Sequence, residues 1–173
     1  MNVFLVTAIA WSLMGLPRFD IDATPAPAVP DWCPVTLPNG EGPIDPNLVG
    51  SETGVYGNDG LSTYVQVDGT YPIDNDDLEA DGGWNKRGWW RDPPEPITVS
   101  MHFIGERVTS AEPKIHTGSG YEITRFQATA TWFPEPGCWS ITASTPTRSL
   151  TIVTWVIFMD DVIYGTPVPT PRS

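Results

Sequence analysis

CWSITAST (Cys138 to Thr145) and SLTIVTWVIF (Ser149 to Phe158) are the two runs of sequence that decide the fold. Both are rich in the β-branched and aromatic residues that are enriched in strands. The first run alternates, so that three side chains fall on one face of a strand: Trp139, Ile141 and Ala143. Pro146-Thr147-Arg148 between the runs provides a short turn. The pair therefore predicts an antiparallel β-hairpin.

The end of the second run is apolar on both faces of its strand, at Val153, Trp155, Val156, Ile157 and Phe158. A strand in a sheet with one solvated face alternates between apolar and polar residues instead. Two interpretations follow. Either this strand lies beneath another layer of protein, or its outward face meets a partner.

Other runs in the chain also have the composition of strands. LSTYVQV (Leu61 to Val67) and ITVSMHFI (Ile97 to Ile104) are bounded by Gly, Asp or Pro. ITRFQATATW (Ile123 to Trp132) alternates and predicts a half-buried strand whose mostly apolar face carries Thr124, Phe126, Ala128 and Ala130. Asn39 to Gly60 and Asp68 to Pro96 read as long polar connections. Because no segment has a helical pattern, we predict an all-β, immunoglobulin-like antiparallel sandwich with long loops.

The composition agrees with one core and many turns. The chain has 173 residues, 16 glycines, 19 prolines and eight tryptophans, which suits a single domain rich in turns. Its formal net charge of −12 repels nucleic-acid phosphates and anionic lipid surfaces. We therefore expect no nucleic-acid partner.

Cys33 and Cys138 are the two cysteines of the chain. One lies near the start of the predicted domain and the other near its end, which suits a single disulfide formed in an oxidising compartment. Two buried free thiols are the alternative.

The two ends of the chain read as additions to one sandwich domain over residues 32–160. Residues 1–31 combine an apolar segment (Val3 to Leu16), resembling the core of a secretion signal, with a proline-rich spacer; no Lys or Arg precedes the segment. If it is retained, this segment provides the predicted route to membrane association. Residues 161–173 read as a proline-rich tail. The predicted location is extracytoplasmic: periplasmic, cell-surface or secreted.

Several short motifs in this order resemble a group of uncharacterised exported bacterial proteins and lipoproteins. They are PGCWSIT (Pro136 to Thr142) with its return LTIV (Leu150 to Val153), CPVTLPNG (Cys33 to Gly40), YGNDGL (Tyr56 to Leu61) and KRGWWR (Lys86 to Arg91). The group shares a Gly-Cys-Trp signature in its closing hairpin. The resemblance implies fold and location but no activity. Many members carry a lipid-modified cysteine before the spacer, whereas no cysteine precedes Cys33 here, so a lipid anchor is not supported.

Two segments are candidates for binding. WNKRGWWR contains three indoles and three cations and gives the residues Trp84, Arg87, Trp89, Trp90 and Arg91; it reads either as a loop whose tryptophans plug one end of the sandwich or as an exposed surface for sugar rings or a protein. The acidic segment containing Asp74, Asp76, Asp77 and Asp81 supplies the oxygen ligands that Ca²⁺ prefers, but it lacks EF-hand spacing, and a solvated loop is the simpler interpretation.

No catalytic residues and no cofactor are predicted. The two histidines, His102 and His116, have no Cys or acidic residue at zinc-site spacing, and Gly118-Ser119-Gly120 lacks the nucleophile-elbow pattern. We predict a non-catalytic structural or interaction module with a protein partner, such as an accessory subunit of a cell-surface or membrane-associated assembly. A carbohydrate-binding module that uses the Trp cluster is the alternative.

Overall fold

The computed structural model describes residues 28–45 and 50–159. The predicted signal-like segment and most of the spacer (1–27), residue 160 and the tail (161–173) lie outside the described residues. Strands dominate the described part, with a 3-10 turn at Asn75–Asp77. In chain order they are β1 (Thr53–Asn58), β2 (Leu61–Gln66), β3 (Thr70–Ile73), β4 (Leu78–Glu79), β5 (Gly82–Arg91), β6 (Thr98–Phe103), β7 (Lys114–Thr117), β8 (Phe126–Phe133), β9 (Gly137–Ser144) and β10 (Ser149–Phe158).

The strands of the described residues form two sheets that pack face to face. The larger sheet has the order β1-β2-β5-β8-β7, with β4 paired to β5. The smaller sheet has the order β3-β10-β9-β6. All neighbours are antiparallel except β3 and β10, which are parallel. The predicted all-β sandwich is confirmed.

The predicted closing hairpin is β9 and β10. Its register runs from Ser144 opposite Ser149 to Gly137 opposite Val156. The three apolar residues predicted to share a face, Trp139, Ile141 and Ala143, are fully buried between the sheets. Burial of a large apolar side chain such as Ile141 stabilises the fold by roughly 1.5–3 kcal/mol. The hairpin is therefore the central part of the smaller sheet's core face.

The two long connections predicted from polar composition contain strands. Asn39 to Gly60 includes β1, and Asp68 to Pro96 includes β3, β4 and β5. β5 contains two adjacent glycines, Gly82 and Gly83, and two adjacent cations, Lys86 and Arg87. It forms a strand nevertheless because it pairs with β2 on one side and, over eight residues, with β8 on the other. Strand formation depends on this tertiary pairing more than on intrinsic propensity.

β8 is half-buried as predicted, but the face that it buries is the polar one. Gln127, Thr129 and Thr131 are buried, whereas Phe126 and the two alanines on the outward face are only half-buried. The physical reason is that the inward polar groups have partners. The Trp89 indole N–H donates to Thr129 Oγ1 at 3.0 Å, and Gln127 Nε2 donates to the Gly118 carbonyl at 2.8 Å. A hydrogen-bonded polar group is tolerated in a core.

An N-terminal strap, defined as residues 28–36, lies against the outward face of the smaller sheet. Val29, Cys33 and Val35 pack on Trp155 and Ile157. The Thr36 N–H donates to the Val153 carbonyl, and the Val153 N–H donates to Thr36 Oγ1, both at 2.8 Å. The outward face of β10 therefore lies beneath another layer, the first of the two interpretations, and this layer belongs to the same chain.

A disulfide joins the strap to the smaller sheet. Cys33 and Cys138 are bonded, 105 residues apart in sequence, with their Cα atoms 5.8 Å apart. The alternative of two free thiols is thus wrong. A structural disulfide is typical of an oxidising compartment outside the cytoplasm. Among residues 28–45 and 50–159, no helix has the length and apolarity to cross a bilayer.

Candidate binding surface

β5 divides the predicted Trp and Arg cluster between the two faces of the larger sheet. Arg87, Trp89 and Arg91 point inward and are at most 2% exposed. Trp84 and Trp90 point outward and are half-buried. Alternate residues of a strand face opposite sides of the sheet, so the three indoles cannot form one platform.

Inward, Arg91 closes one end of the sandwich. Its guanidinium donates to the carbonyls of Tyr121 (2.6 Å) and Thr124 (3.3 Å) and to Gln127 Oε1 (3.1 Å). Burial lowers the pKa of Arg91, and the nearby Glu122 carboxylate opposes this shift. The contacts anchor the segment between β7 and β8, which carries Tyr121, so Arg91 has a structural role there.

Arg87 supplies a side-chain hydrogen bond at the point where the backbone pairing of β2 with β5 ends. The paired register of these strands ends at Thr63 opposite Trp89, and Arg87 Nη1 donates to the next β2 carbonyl, that of Tyr64, at 2.6 Å. Its guanidinium carbon lies 4.4 Å from the centre of the Tyr71 ring. Burial raises the pKa of the Tyr71 phenol, although the Arg87 charge works against it. This buried cation is held by carbonyl and ring contacts and is not available to a ligand.

Outward, aromatic rings form a row across the larger sheet. Tyr64 and Trp90 have centroids 5.9 Å apart, Trp90 and Phe126 5.0 Å, and Phe126 and Tyr121 5.4 Å. Each of these side chains is half-buried. Together with Trp84, which lies on the same face of β5, they are called the aromatic face: Tyr64, Trp84, Trp90, Tyr121 and Phe126.

The row of rings overlies a glycine. A Cβ added at Gly88 would lie 2.6 Å from the Phe126 ring and 2.9 Å from that of Trp90. The rings therefore lie low over the backbone of β5, where a side chain would displace them. Next along the sheet, the outward positions of β8 are alanines, Ala128 and Ala130. Small residues at these positions leave a shallow floor between the row of rings and Trp84.

The other end of the aromatic face carries both aromatic and cationic groups. Trp84 contacts His116 with centroids 5.1 Å apart, and its indole N–H donates to Glu79 Oε1 at 3.1 Å. Lys114 places its ammonium 4.0 Å from the centre of the Trp132 ring. A cation over an indole is a favourable arrangement that leaves the charge in place.

The residues Tyr64, Tyr121 and Phe126 were not among the predicted site residues. Tyr121 belongs to a connection, and the β8 pattern suggested that Phe126 faced the core. The signal available in the sequence concerned the tryptophans of β5. The two-residue alternation of a strand separates Trp84 and Trp90 from Trp89.

The acidic candidates do not converge on a point. Asp74, Asp76, Asp77 and Asp81 are all exposed, and two of them belong to the 3-10 turn. Within the part of the chain that the structure describes, no three His, Cys, Asp or Glu side chains are arranged to hold a metal ion. The acidic segment therefore lies exposed to solvent beside β4.

A separate open cleft of about 350 Å³ lies between the β1–β2 and β9–β10 turns. It is lined by Glu41, Asn58, Asp59, Arg148 and Ser149. Asn58 Nδ2 donates to the Ser149 carbonyl at 3.2 Å, and Arg148 lies 4.0 Å from Glu95. The first contact joins the two turns, and the second joins the β9–β10 turn to the connection between β5 and β6, so both Asn58 and Arg148 have structural roles.

No family model matches this chain, and no curated protein matches its sequence. The resemblance to exported proteins with a Gly-Cys-Trp hairpin thus stays a prediction.

Proposed function

We propose that this chain is a non-catalytic, extracytoplasmic interaction module that binds its partner through the aromatic face. The observation that carries the proposal is the row of half-buried rings from Tyr64 to Tyr121 on an outward sheet surface. Aromatic side chains offer large contact area and lose little conformational freedom on binding. A patch of partly exposed rings on an outward sheet surface is a typical interaction site.

The location in this proposal rests on the disulfide and on the family resemblance. The Cys33–Cys138 bond agrees with folding in an oxidising compartment. The resemblance to exported bacterial proteins points the same way, to the periplasm, the cell surface or secretion.

A protein partner, as in an accessory subunit of an envelope assembly, is one form of the proposal. Part of its basis was the outward face of β10, which the strap covers. The aromatic face takes over that role, since Tyr and Trp are common anchors of protein interfaces.

A carbohydrate ligand is the second candidate, and one specific observation favours it. The outward side chains of β2, β5, β7 and β8 include rings, small residues and lysines but no Val, Leu, Ile or Met. Protein interfaces are enriched in Met and Arg and depleted in Lys. Val55 of the neighbouring strand β1 lies opposite Tyr64 at the margin of the row. Between Tyr64 and Trp84 the face offers rings without Val, Leu, Ile or Met, which suits the C–H faces of sugar rings.

The proposal is tested by affinity purification of the tagged full-length chain from the extracytoplasmic fraction of its host. Wild type is compared with Trp90→Ala and with a matched control, Trp32→Ala, which removes a 41% exposed indole from the opposite side of the sandwich. We expect a co-purifying protein or polysaccharide that Trp90→Ala loses and Trp32→Ala retains. Equal recovery with both variants would contradict the assignment of the surface.

A further inference from the structure

The cations of the described residues are unevenly distributed. Each described arginine has a hydrogen bond or ion pair inside the fold: Arg87, Arg91, Arg107, Arg125 and Arg148. In contrast, neither lysine ammonium has a hydrogen bond or carboxylate partner in the described part of the chain. These two residues, Lys86 and Lys114, are the chain's full complement of lysine.

Lys86 lies within the aromatic face and Lys114 lies beside it. Lys86 is outward and exposed on β5 between Trp84 and Gly88, and Lys114 is outward on β7, where it pairs with Trp132 of β8. Standard strand spacings place the two Cα atoms about 12 Å apart. The outward side chains of β2, β5, β7 and β8 include no carboxylate. The acidic chain therefore presents a locally cationic surface here.

The net charge of −12 does not cancel this local surface. At physiological ionic strength the Debye length is about 8 Å, so distant exposed carboxylates are largely screened. Two carboxylates at the margin already have partners: Glu79 accepts the Trp84 indole N–H, and Glu112, two residues before Lys114, pairs with Arg107. An anionic ligand on the floor would meet the two ammonium groups first.

The surface is elongated along β5. Trp84 and Trp90 are six residues apart on one strand, a separation of about 20 Å at the usual rise per residue. Rings therefore stand at both ends of the small-residue floor, Lys86 rises from the floor between them, and Lys114 stands beside it. This arrangement suits an extended chain of several sugar units with a negative group on the units between the rings.

We propose that the ligand of the aromatic face is an acidic polysaccharide, a chain of pyranose units that carry carboxylate groups. This inference rests on the function proposed above. The rings of Trp84 and Trp90 stack on sugar faces, and the ammonium groups of Lys86 and Lys114 pair with the carboxylates. A neutral glycan would leave both lysines without a role in binding.

The test measures binding of oligogalacturonate, alginate oligosaccharide and hyaluronan by isothermal calorimetry. Each probe is compared with its methyl-esterified form, which keeps the sugar rings and removes the charge. We expect at least one acidic probe to bind and its ester to bind far more weakly. The double variant Lys86→Gln, Lys114→Gln should weaken binding by roughly tenfold, since exposed ion pairs are each worth little. The Lys86→Arg, Lys114→Arg control should retain it.

The outcomes separate this inference from the function on which it rests. Equal binding of acid and ester, or no effect of the Gln variants, overturns the acidic ligand while leaving the aromatic face as the binding surface. The acidic ligand is also overturned if none of the acidic probes binds and wild type co-purifies with a protein partner that the Trp90→Ala variant loses. If Trp90→Ala changes the binding of neither a glycan nor a protein, the proposed function itself is wrong. The exposed Gln variants should keep the wild-type melting temperature, which excludes misfolding as the cause of weaker binding.

Discussion

Removal of the Cys33–Cys138 disulfide should lower the free energy of unfolding by about 4–5 kcal/mol. The bond closes a segment with a sequence separation of 105 residues. In the chain-entropy model a closed loop of about 100 residues restricts the unfolded chain by about 4.7 kcal/mol at 25 °C. With a urea dependence of about 2 kcal/mol per molar, the unfolding midpoint should fall by roughly 2 M.

The double variant Cys33→Ser, Cys138→Ser avoids incomplete reduction of a buried bond. Its stability is compared with that of wild type in urea, followed by circular dichroism. Because the disulfide also anchors the strap, hydrogen exchange should accelerate at Thr36 and Val153, whose N–H groups bond strap and β10 to each other. The exchange rates of these two amides show whether the strap is released while the rest of the protein stays folded. The urea midpoint alone does not show this.

Trp32→Ala is the control, since it keeps the disulfide and removes one strap contact. The Trp32 and Trp155 rings are edge to face with centroids 5.8 Å apart, and such a pair contributes about 0.5–1.5 kcal/mol beyond its burial. We therefore expect a smaller loss of stability than in the cysteine variant. An unchanged midpoint in the double cysteine variant would refute the reasoning, as would unchanged exchange at both amides.

Three other substitutions test the interior, the aromatic face and the acid response. Thr129→Val removes the acceptor of the Trp89 indole N–H and should cost about 1–3 kcal/mol in chemical denaturation, because a buried donor loses its partner. Gly88→Ala places a Cβ 2.6 Å from a ring above it; overpacking should cost about 1–3 kcal/mol, and ring chemical shifts that stay as in wild type would contradict the geometry. Hydrogen bonds from threonine hydroxyls, Thr145 and then Thr147, hold the pKa of Glu95 below its usual 4.5. Its contribution to stability is thus present above that value and is lost as the pH falls through the folded pKa, so Glu95→Gln should flatten the acid side of the melting-temperature profile.

Much of the smaller sheet could be predicted from local pattern. In β9 the alternation of Trp139, Ile141 and Ala143 agrees with their burial, and the turn before β10 is short. The disulfide followed from the presence of two cysteines in a chain with other extracellular features. These predictions succeed because hairpin pairing and cysteine count need no information about distant residues.

The candidate site was harder to predict because it depends on which way β5 and β8 face. The segment containing Trp84, Trp89 and Trp90 was interpreted as a loop, and its composition did not reveal that β8 would pair with it. Only that pairing sends Trp89 inward and Trp84 and Trp90 outward.

The sequence by itself determined the hairpin of β9 and β10 and the all-β class, and it favoured the disulfide, since each depends on local periodicity or on residue identity. Only the tertiary structure decided which face of β8 lies inside and what covers β10. Thr129 is stable in the core because Trp89, 40 residues away, donates a hydrogen bond to it. Trp155 is buried because the strap, more than 100 residues earlier in the chain, is bonded to the neighbouring strand.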